Sequence, residues 1–385
     1  MHIMIAAPEY GLLWGGIGTY LEQFVRGARG RHEFTILAGA AGAPHPEGAR
    51  LLSLARSDGG MMLNYQRFQL ELRRHLPALV REHRPDLLVV HHAQMPDLLA
   101  LRPSCPVVVT THTTILGQAQ GAWAAIRQGS PLDATERTTL TLLPALLPTE
   151  LYYWKRVAHA IFVSKAVRGQ VERAYAPRLR TSAIIPNGLA LDTDTSGSGV
   201  THPKIEGRYV LFGGRLLGIK GIAVLLRAFA RVPDDGTRLV LAGRGDLPRW
   251  RHFARACGLS DARVEFLGGI PHADYLNLLR AATAFVLPSY SESCPYALIE
   301  ALALGKAVLA TAVGGIPEMV DGETAVLVRP RDPVRLANGL TRLLADEALR
   351  TNLGRNATTR WRERFNATRM CAETIHYFED LLAVD

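Results

Sequence analysis

Ser289-Tyr290-Ser291-Glu292-Ser293-Cys294-Pro295-Tyr296-Ala297-Leu298-Ile299-Glu300-Ala301-Leu302-Ala303-Leu304-Gly305 is the stretch from which the fold can be read. The apolar run Ala284 to Leu287 precedes it and stops at Pro288, as a buried strand does when it reaches its carboxyl end. Pro295 suits the first turn of a helix, where its missing N–H costs nothing. That helix is expected to run to Leu304 and to stop at Gly305, a natural residue just past a helix end. Glu292 stands ahead of the helix and Glu300 two turns later, about 80° apart on a helical wheel of about 100° per residue. Free N–H groups at a helix start attract anions and hydroxyl oxygens. Two carboxylates beside such a turn suit a polyol that carries phosphate. Two solvated helix-end glutamates are the other reading of these residues.

Working outward, the same strand–loop–helix unit repeats on both sides. The second half predicts strands at Tyr209–Phe212, Leu239–Ala242, Val264–Leu267, Ala284–Leu287, Ala307–Ala310 and Ala325–Val328, with helices between. Three helices, Pro333–Ala345, Leu349–Arg364 and Ala367–Leu382, close the chain. The first half predicts strands at Ile3–Ala7, Phe34–Ala38, Leu87–His91, Val107–Thr111, Ala160–Ser164 and Ala183–Ile185. Its helices are Ile17–Ala28, Leu63–Glu82, a broken helix over Thr135–Val157, and Ala166–Tyr175. From Asp192 to Pro203 the pattern lapses into Asp, Thr, Ser and Gly, the composition of a linker. The expectation is α/β: two doubly wound, Rossmann-like domains over 1–190 and 208–360, joined by a linker over 191–207. Ligands of such sheets bind beyond the carboxyl ends of the strands, and a cleft between two of them is the natural site.

The composition agrees. A chain of 385 residues is long for one core, and 48% hydrophobic with 21% charged residues is a folded, not a disordered, balance. Cys105, Cys257, Cys294 and Cys371 are far apart, which argues against a disulfide framework or a thiolate zinc site and fits a reducing cytoplasm. Met1-His2-Ile3-Met4-Ile5 reads as a strand, not a signal peptide. No apolar run reaches membrane-spanning length; Leu140 to Trp154 is interrupted by Pro144, Pro148 and Glu150. The net charge of +9 is uneven: residues 1–190 carry 20 Lys and Arg against 13 Asp and Glu, the remainder 24 against 22. That excess suits an anionic acceptor or an anionic membrane surface, or is only an arginine-rich composition. No nucleic-acid-reading motif accompanies it.

Five other stretches carry chemistry. Pro8 to Gly18 places Gly11, Gly15, Gly16 and Gly18 between a strand and a helix, without the dinucleotide spacing. Thr110-Thr111-His112-Thr113 ends a strand, so His112 reaches the carboxyl rim, where it either meets a hydroxyl or is satisfied by backbone. His91 and His92 end the preceding strand. Gly213-Gly214-Arg215-Leu216-Leu217-Gly218-Ile219-Lys220-Gly221 puts a planar fork of donors and a mobile point charge on one turn, a pair suited to a diphosphate. The alternative is two solvated loop charges. Ala242-Gly243-Arg244-Gly245-Asp246 and Leu267-Gly268-Gly269-Ile270-Pro271 are small-residue turns on the same rim, able to admit a nucleobase edge or to serve as ordinary turns.

In this order the pieces resemble the retaining glycosyltransferases of family 4, with the GT-B fold, over nearly the whole chain. They are Gly15-Gly16, His112, Ile185-Pro186-Asn187-Gly188, Gly214-Arg215 with Lys220-Gly221, Gly243 to Gly245, Glu292 with Glu300, and Thr311 to Glu318 with Gly314-Gly315. The resemblance implies that Arg215 and Lys220 hold a donor diphosphate, Glu300 the ribose and Glu292 the donor sugar. Backbone around Cys294, Pro295, Tyr296 and Ala297 would bind sugar or phosphate oxygens. Gly16 would reach the diphosphate from the opposite domain, His112 would contact the transferred sugar, and Arg244 and Ile270 would flank the base. The catalytic group would be His112, Glu292, Arg215 and Lys220, and residues 361–385 would cross back to the first domain. Cys294-Pro295 departs from the family's usual pair, and Leu116 to Glu150 matches no assignable pattern; it is expected to shape an acceptor pocket.

The implied reaction moves a hexose-type sugar from a nucleotide diphosphate sugar, with UDP favoured and GDP open, to a hydroxyl of a small molecule or lipid-linked glycan. No cofactor or metal is expected, because the two cations replace a divalent ion on the leaving phosphate. The implied location is cytoplasmic, with peripheral contact at an anionic inner membrane face open. Rival readings are another GT-B enzyme, such as a phosphorylase or nucleotide-sugar epimerase, and a non-catalytic sugar-nucleotide-binding protein.

Overall fold

The computed structural model describes residues 1–7, 15–39, 47–54, 61–92, 104–191 and 205–384. The Pro8–Trp14 part of the first glycine loop and most of the expected linker lie outside the described residues.

In chain order the elements begin β1 (His2–Ala7), α1 (Gly16–Ala28), β2 (Glu33–Ala38), β3 (Arg50–Ser53), α2 (Met61–His83), β4 (Leu87–His92) and β5 (Val107–Thr111). Then come α3 (Ile115–Arg127), α4 (Ala134–Trp154), β6 (His159–Phe162), α5 (Lys165–Tyr175) and β7 (Thr181–Ile184). A second series follows: β8 (Tyr209–Gly213), α6 (Ile222–Phe229), β9 (Arg238–Ala242), α7 (Leu247–Ala256), β10 (Val264–Gly268), α8 (His272–Ala281) and β11 (Ala284–Leu287). It ends with α9 (Tyr296–Ala303), β12 (Val308–Thr311), α10 (Ile316–Met319), β13 (Val326–Val328), α11 (Pro333–Ala345), α12 (Glu347–Arg364) and α13 (Ala367–Val384).

The chain forms two compact units. One comprises Met1–Ile115, Pro144–Ala190 and Phe365–Asp385, and the other Leu116–Leu143 and Leu191–Arg364. Each holds one all-parallel sheet, ordered β3-β2-β1-β4-β5-β6-β7 in the first and β10-β9-β8-β11-β12-β13 in the second. Parallel strands in this arrangement are covered on both faces. Ile3 to Ala7 and Tyr209 to Phe212 are accordingly buried at every position and read as apolar runs, not alternations. In both sheets the order reverses beside the first strand of the unit, between β1 and β4 and between β8 and β11. Such a switch point opens a crevice beyond the strand ends.

In the first unit, α13 packs on α1, with the Phe24 and Phe378 ring centroids 6.2 Å apart. Gly27 admits this approach, since a Cβ there would lie 2.4 Å from Cys371 Sγ. Glu150 is fully buried and accepts hydrogen bonds from the Ile115 N–H at 3.1 Å and from the Tyr175 hydroxyl. It fixes the start of α3 to α4 and α5.

Three features differ from the sequence reading. β3 is an edge strand whose four residues, two exposed and two half-exposed, are too few to show a period. α3 occupies part of the unassigned segment. α4 is one helix rather than a broken one, although it contains Pro144 and Pro148. A spacing of four puts both prolines on one exposed face, so the hydrogen bonds they delete fall where water can replace them.

Candidate functional site

In the second unit the loops that follow β8 and β11 face each other across the switch point. After β8 the backbone turns through Gly214 and Arg215, forms a 3-10 turn over Gly218–Lys220, and enters α6 at Gly221. Gly221 has φ +73°, and a Cβ there would fall 2.0 Å from the Pro288 carbonyl oxygen. The two loops touch backbone to backbone at that point, and only glycine permits it. After β12, Gly314 plays the same part: with φ +51° its Cβ would lie 1.8 Å from the Glu292 carbonyl oxygen. The Gly315 N–H then donates to that oxygen at 3.0 Å.

This interlock explains the central contact. Lys220 Nζ donates to Glu292 Oε1 at 2.7 Å, and Ser289 Oγ donates to the same oxygen at 2.6 Å. The Glu292 side chain is only 6% exposed and that of Lys220 24%. Strand order, not sequence separation, brings together residues 72 apart. A charge pair this dry requires both partners: removing one strands the other and costs about 3–5 kcal/mol. Arg215 is half-buried on the same loop; its carbonyl accepts from the Leu217 N–H at 2.9 Å, while its guanidinium forms no hydrogen bond or ion pair with a described residue. Its planar fork of donors is therefore available to an anion.

Glu300 sits on α9, buried, with Oε1 2.8 Å from His272 Nε2. Tyr275 stacks on His272 with centroids 6.1 Å apart, and its hydroxyl is pushed well above the usual range by burial and then by the Glu300 charge. Gly213 accommodates that ring, since a Cβ would lie 2.3 Å from it. Pro295 occupies the N-cap position of α9, one residue earlier than its expected place in the first turn. No side chain caps α9, whose start carries Cys294, Tyr296 and Ala297. The exposed Arg244 side chain lies along Gly269, where a Cβ would meet its Cγ at 2.7 Å, so Arg244 adjoins Ile270.

Gly16 and His112 belong to the first unit. Gly16 is exposed at the first position of α1, after Gly15. His112 is half-buried just past β5, its Nε2 2.9 Å from His91 Nδ1. The structure thus joins Lys220 with Glu292 and Arg244 with the Ile270 turn, and it gives Glu300 a partner, His272, that sequence reading did not name. His272 stands two residues after Ile270 on the same rim, and that proximity was its only signal.

Glu136 was missed as well. It lies in the segment that sequence reading left unassigned, and the structure places Leu116–Leu143 with the second unit. Its carboxylate accepts from the Ile219 N–H at 2.7 Å and the Gly218 N–H at 3.2 Å, bracing the turn that carries Lys220. Asp133 and Glu136 also cap the start of α4 reciprocally, at 2.7 and 2.9 Å. Burial raises the Glu136 carboxyl above its ordinary range, with the Asp133 charge adding to it, against the three hydrogen bonds from the Asp133, Ile219 and Gly218 N–H groups. Gly121 on α3 packs against Ile219, and Arg227 donates to the Gln128 carbonyl at 2.5 Å. No local pattern in residues 116–143 announces a partner some 80 residues on.

Known proteins place this geometry. Residues 14–193 match the model of Glycosyltransferase Family 4, and residues 201–360 that of Glycosyl transferases group 1. A D-inositol 3-phosphate glycosyltransferase of Corynebacterium diphtheriae is 38% identical over 189 residues, 46% of this chain and 44% of that protein. The chain therefore spans less than half the length of that relative. A glycogen synthase of Mycobacterium tuberculosis is 26% identical over 396 residues, 95% of this chain and 91% of that protein. Anabaena HepE, solved in complex with UDP and glucose, has the same fold, with a TM-score of 0.72 at 19% identity over 99% of this chain and 100% of that one. Two parallel sheets reversed at equivalent positions, matched in order by both models, make this chain a member of the family 4 glycosyltransferases with the GT-B fold.

Proposed function

We propose that this protein is a retaining hexosyltransferase that moves a sugar from a nucleotide diphosphate sugar to an acceptor hydroxyl, without a metal ion. A UDP-sugar is the favoured donor and a GDP-sugar the second choice. The acceptor is a small molecule or a lipid-linked glycan, and the place of action is the cytoplasm, with peripheral contact at an anionic membrane face. The observation that carries the reading is the Lys220–Glu292 pair at the switch point, with the unpaired Arg215 beside it. The complex of Anabaena HepE with UDP and glucose supports the donor class by analogy.

In this reading charge builds on the departing diphosphate as the sugar acquires oxocarbenium character. Arg215, the remaining donors of Lys220 and the open start of α9 stabilise that charge where it develops, which lowers the barrier more than ground-state binding would. Glu292 holds Lys220 in place and offers its carboxylate to the sugar hydroxyls. Glu300, set by His272, takes the ribose, and Arg244 with Ile270 borders the base. His112 contacts the transferred sugar, and Gly16 approaches the diphosphate.

The test is a thermal-shift screen with UDP-, GDP- and ADP-sugars, followed by product analysis with an acceptor panel. A donor at a hundred times its dissociation constant adds about 2.7 kcal/mol to the stability of the folded state. The product should keep the anomeric configuration of the donor, and chelation should leave turnover unchanged. Sugar phosphate as product would point to a phosphorylase, and conversion without acceptor to an epimerase. Binding without turnover would leave a sugar-nucleotide-binding protein.

A further inference from the structure

His91 lies at the end of β4, only 1% exposed, in the first unit. Its Nδ1 is 2.9 Å from His112 Nε2, and the two imidazoles stack with centroids 5.2 Å apart and planes 19° apart. Tyr20 of α1 closes over the pair, its ring 5.2 Å from each histidine in an edge-on arrangement. His91 Nε2 is buried and has no hydrogen-bond partner among the described residues. Those facts decide where the protons sit.

A neutral imidazole carries one N–H and one bare acceptor nitrogen. Only one hydrogen fits between His91 and His112. If His112 Nε2 supplied it, His91 Nδ1 would accept, and the His91 proton would sit on Nε2, a buried donor with nothing to meet. If His91 Nδ1 supplies it, the orphan is a bare acceptor. Buried donors without partners are rarer than under-satisfied acceptors, so the second arrangement wins. His91 also stays uncharged: burial, and then the neighbouring His112, hold its pKa well below the usual histidine range.

We propose that His91 is a positioning residue for His112, donating Nδ1–H to His112 Nε2 and thereby confining the His112 proton to Nδ1. The His112 proton is thus held at Nδ1, and its ring plane is fixed against that of His91. This deepens the proposed function, on which it rests for the role of His112 toward the sugar. The tautomer itself does not depend on that role.

The experiment is 15N NMR of histidine-labelled protein, with the His112 signals assigned through His112→Asn. Wild type should show the His112 proton on Nδ1 and a hydrogen-bonded acceptor at Nε2. His91→Phe should return His112 to a mixture of tautomers. It should also lower kcat about 10- to 100-fold, the scale known for the hydrogen-bond partners of metal-bound histidines, with little change in donor KM. His91→Asn places an amide N–H near the Nδ1 position and should recover both the tautomer and most of kcat. A wild-type proton on Nε2, or an unchanged tautomer in folded His91→Phe, overturns the proposal. If the Phe variant does not fold, the wild-type and Asn spectra still decide. Absence of sugar transfer by wild type alongside the Nδ1 tautomer would count against the proposed function only.

Discussion

At the scale of single residues, the second unit depends on glycines that let loops touch. Gly314→Ala puts a methyl 1.8 Å from the Glu292 carbonyl oxygen on a backbone at φ +51°. The left-handed conformation alone costs about 1–2 kcal/mol, and the collision adds to it by displacing Glu292. Chemical denaturation should show a loss above about 2 kcal/mol. Gly322→Ala, whose Cβ meets nothing within 4 Å, should change little. Equal losses at both positions would mean that the interlock is not what makes Gly314 special. His91 supplies a pH dependence with a definite sign. Its folded pKa is depressed well below 6.5, so the unfolded chain binds the proton first on acidification. Stability is then complete above about pH 6.5 and falls as pH drops toward the folded value. His91→Asn removes that titration, and its melting temperature should decline less than that of wild type between pH 6.5 and 5. Parallel curves would show that His91 is not buried neutral.

At the scale of elements, the start of α4 is a brace for the turn that bears Lys220. Glu136→Ala leaves the Gly218 and Ile219 N–H groups without their acceptor, and Gly218 is buried. An unsatisfied buried donor costs about 1–3 kcal/mol. The variant should therefore be less stable by that order and should show faster amide exchange over residues 217–221. Glu136→Gln keeps one carbonyl acceptor and should fall between the two. Unchanged exchange in Glu136→Ala would show that the turn holds itself. The α4 prolines carry a related lesson, since helix breakers are read locally. A four-residue spacing on an exposed face lets the helix continue.

At the scale of the whole molecule, each unit has its own sheet, and the residues proposed to bind the donor belong to the second unit apart from Gly16 and His112. Hydrogen exchange with a bound nucleoside diphosphate should slow over residues 213–221 and 288–297 in the second unit. Protection confined to the first unit would move the donor site there and sink the assignment of Arg215 and Lys220. Among the described residues no helix is long and apolar enough to cross a membrane. Vesicle flotation with and without anionic lipid tests the membrane contact proposed for the basic excess of residues 1–190.

Most elements were legible in the sequence because their signals are local. Buried parallel strands read as apolar runs, glycines and prolines mark the ends, and the family's motifs fall at the strand carboxyl ends. Arg215, Lys220, Glu292 and Glu300 stood out for that reason. The sequence by itself therefore determined the α/β class and the loops and helix after β8 and β11 that carry Arg215, Lys220, Glu292 and Glu300. Only the tertiary structure decided who meets whom. Lys220 reaches Glu292 because β8 lies beside β11, His272 reaches Glu300 across two helices, and Glu136 braces a turn from a segment with no pattern of its own. The physical reason is that periodicity records which face of an element is buried, whereas pairing depends on strand order and loop closure over tens of residues.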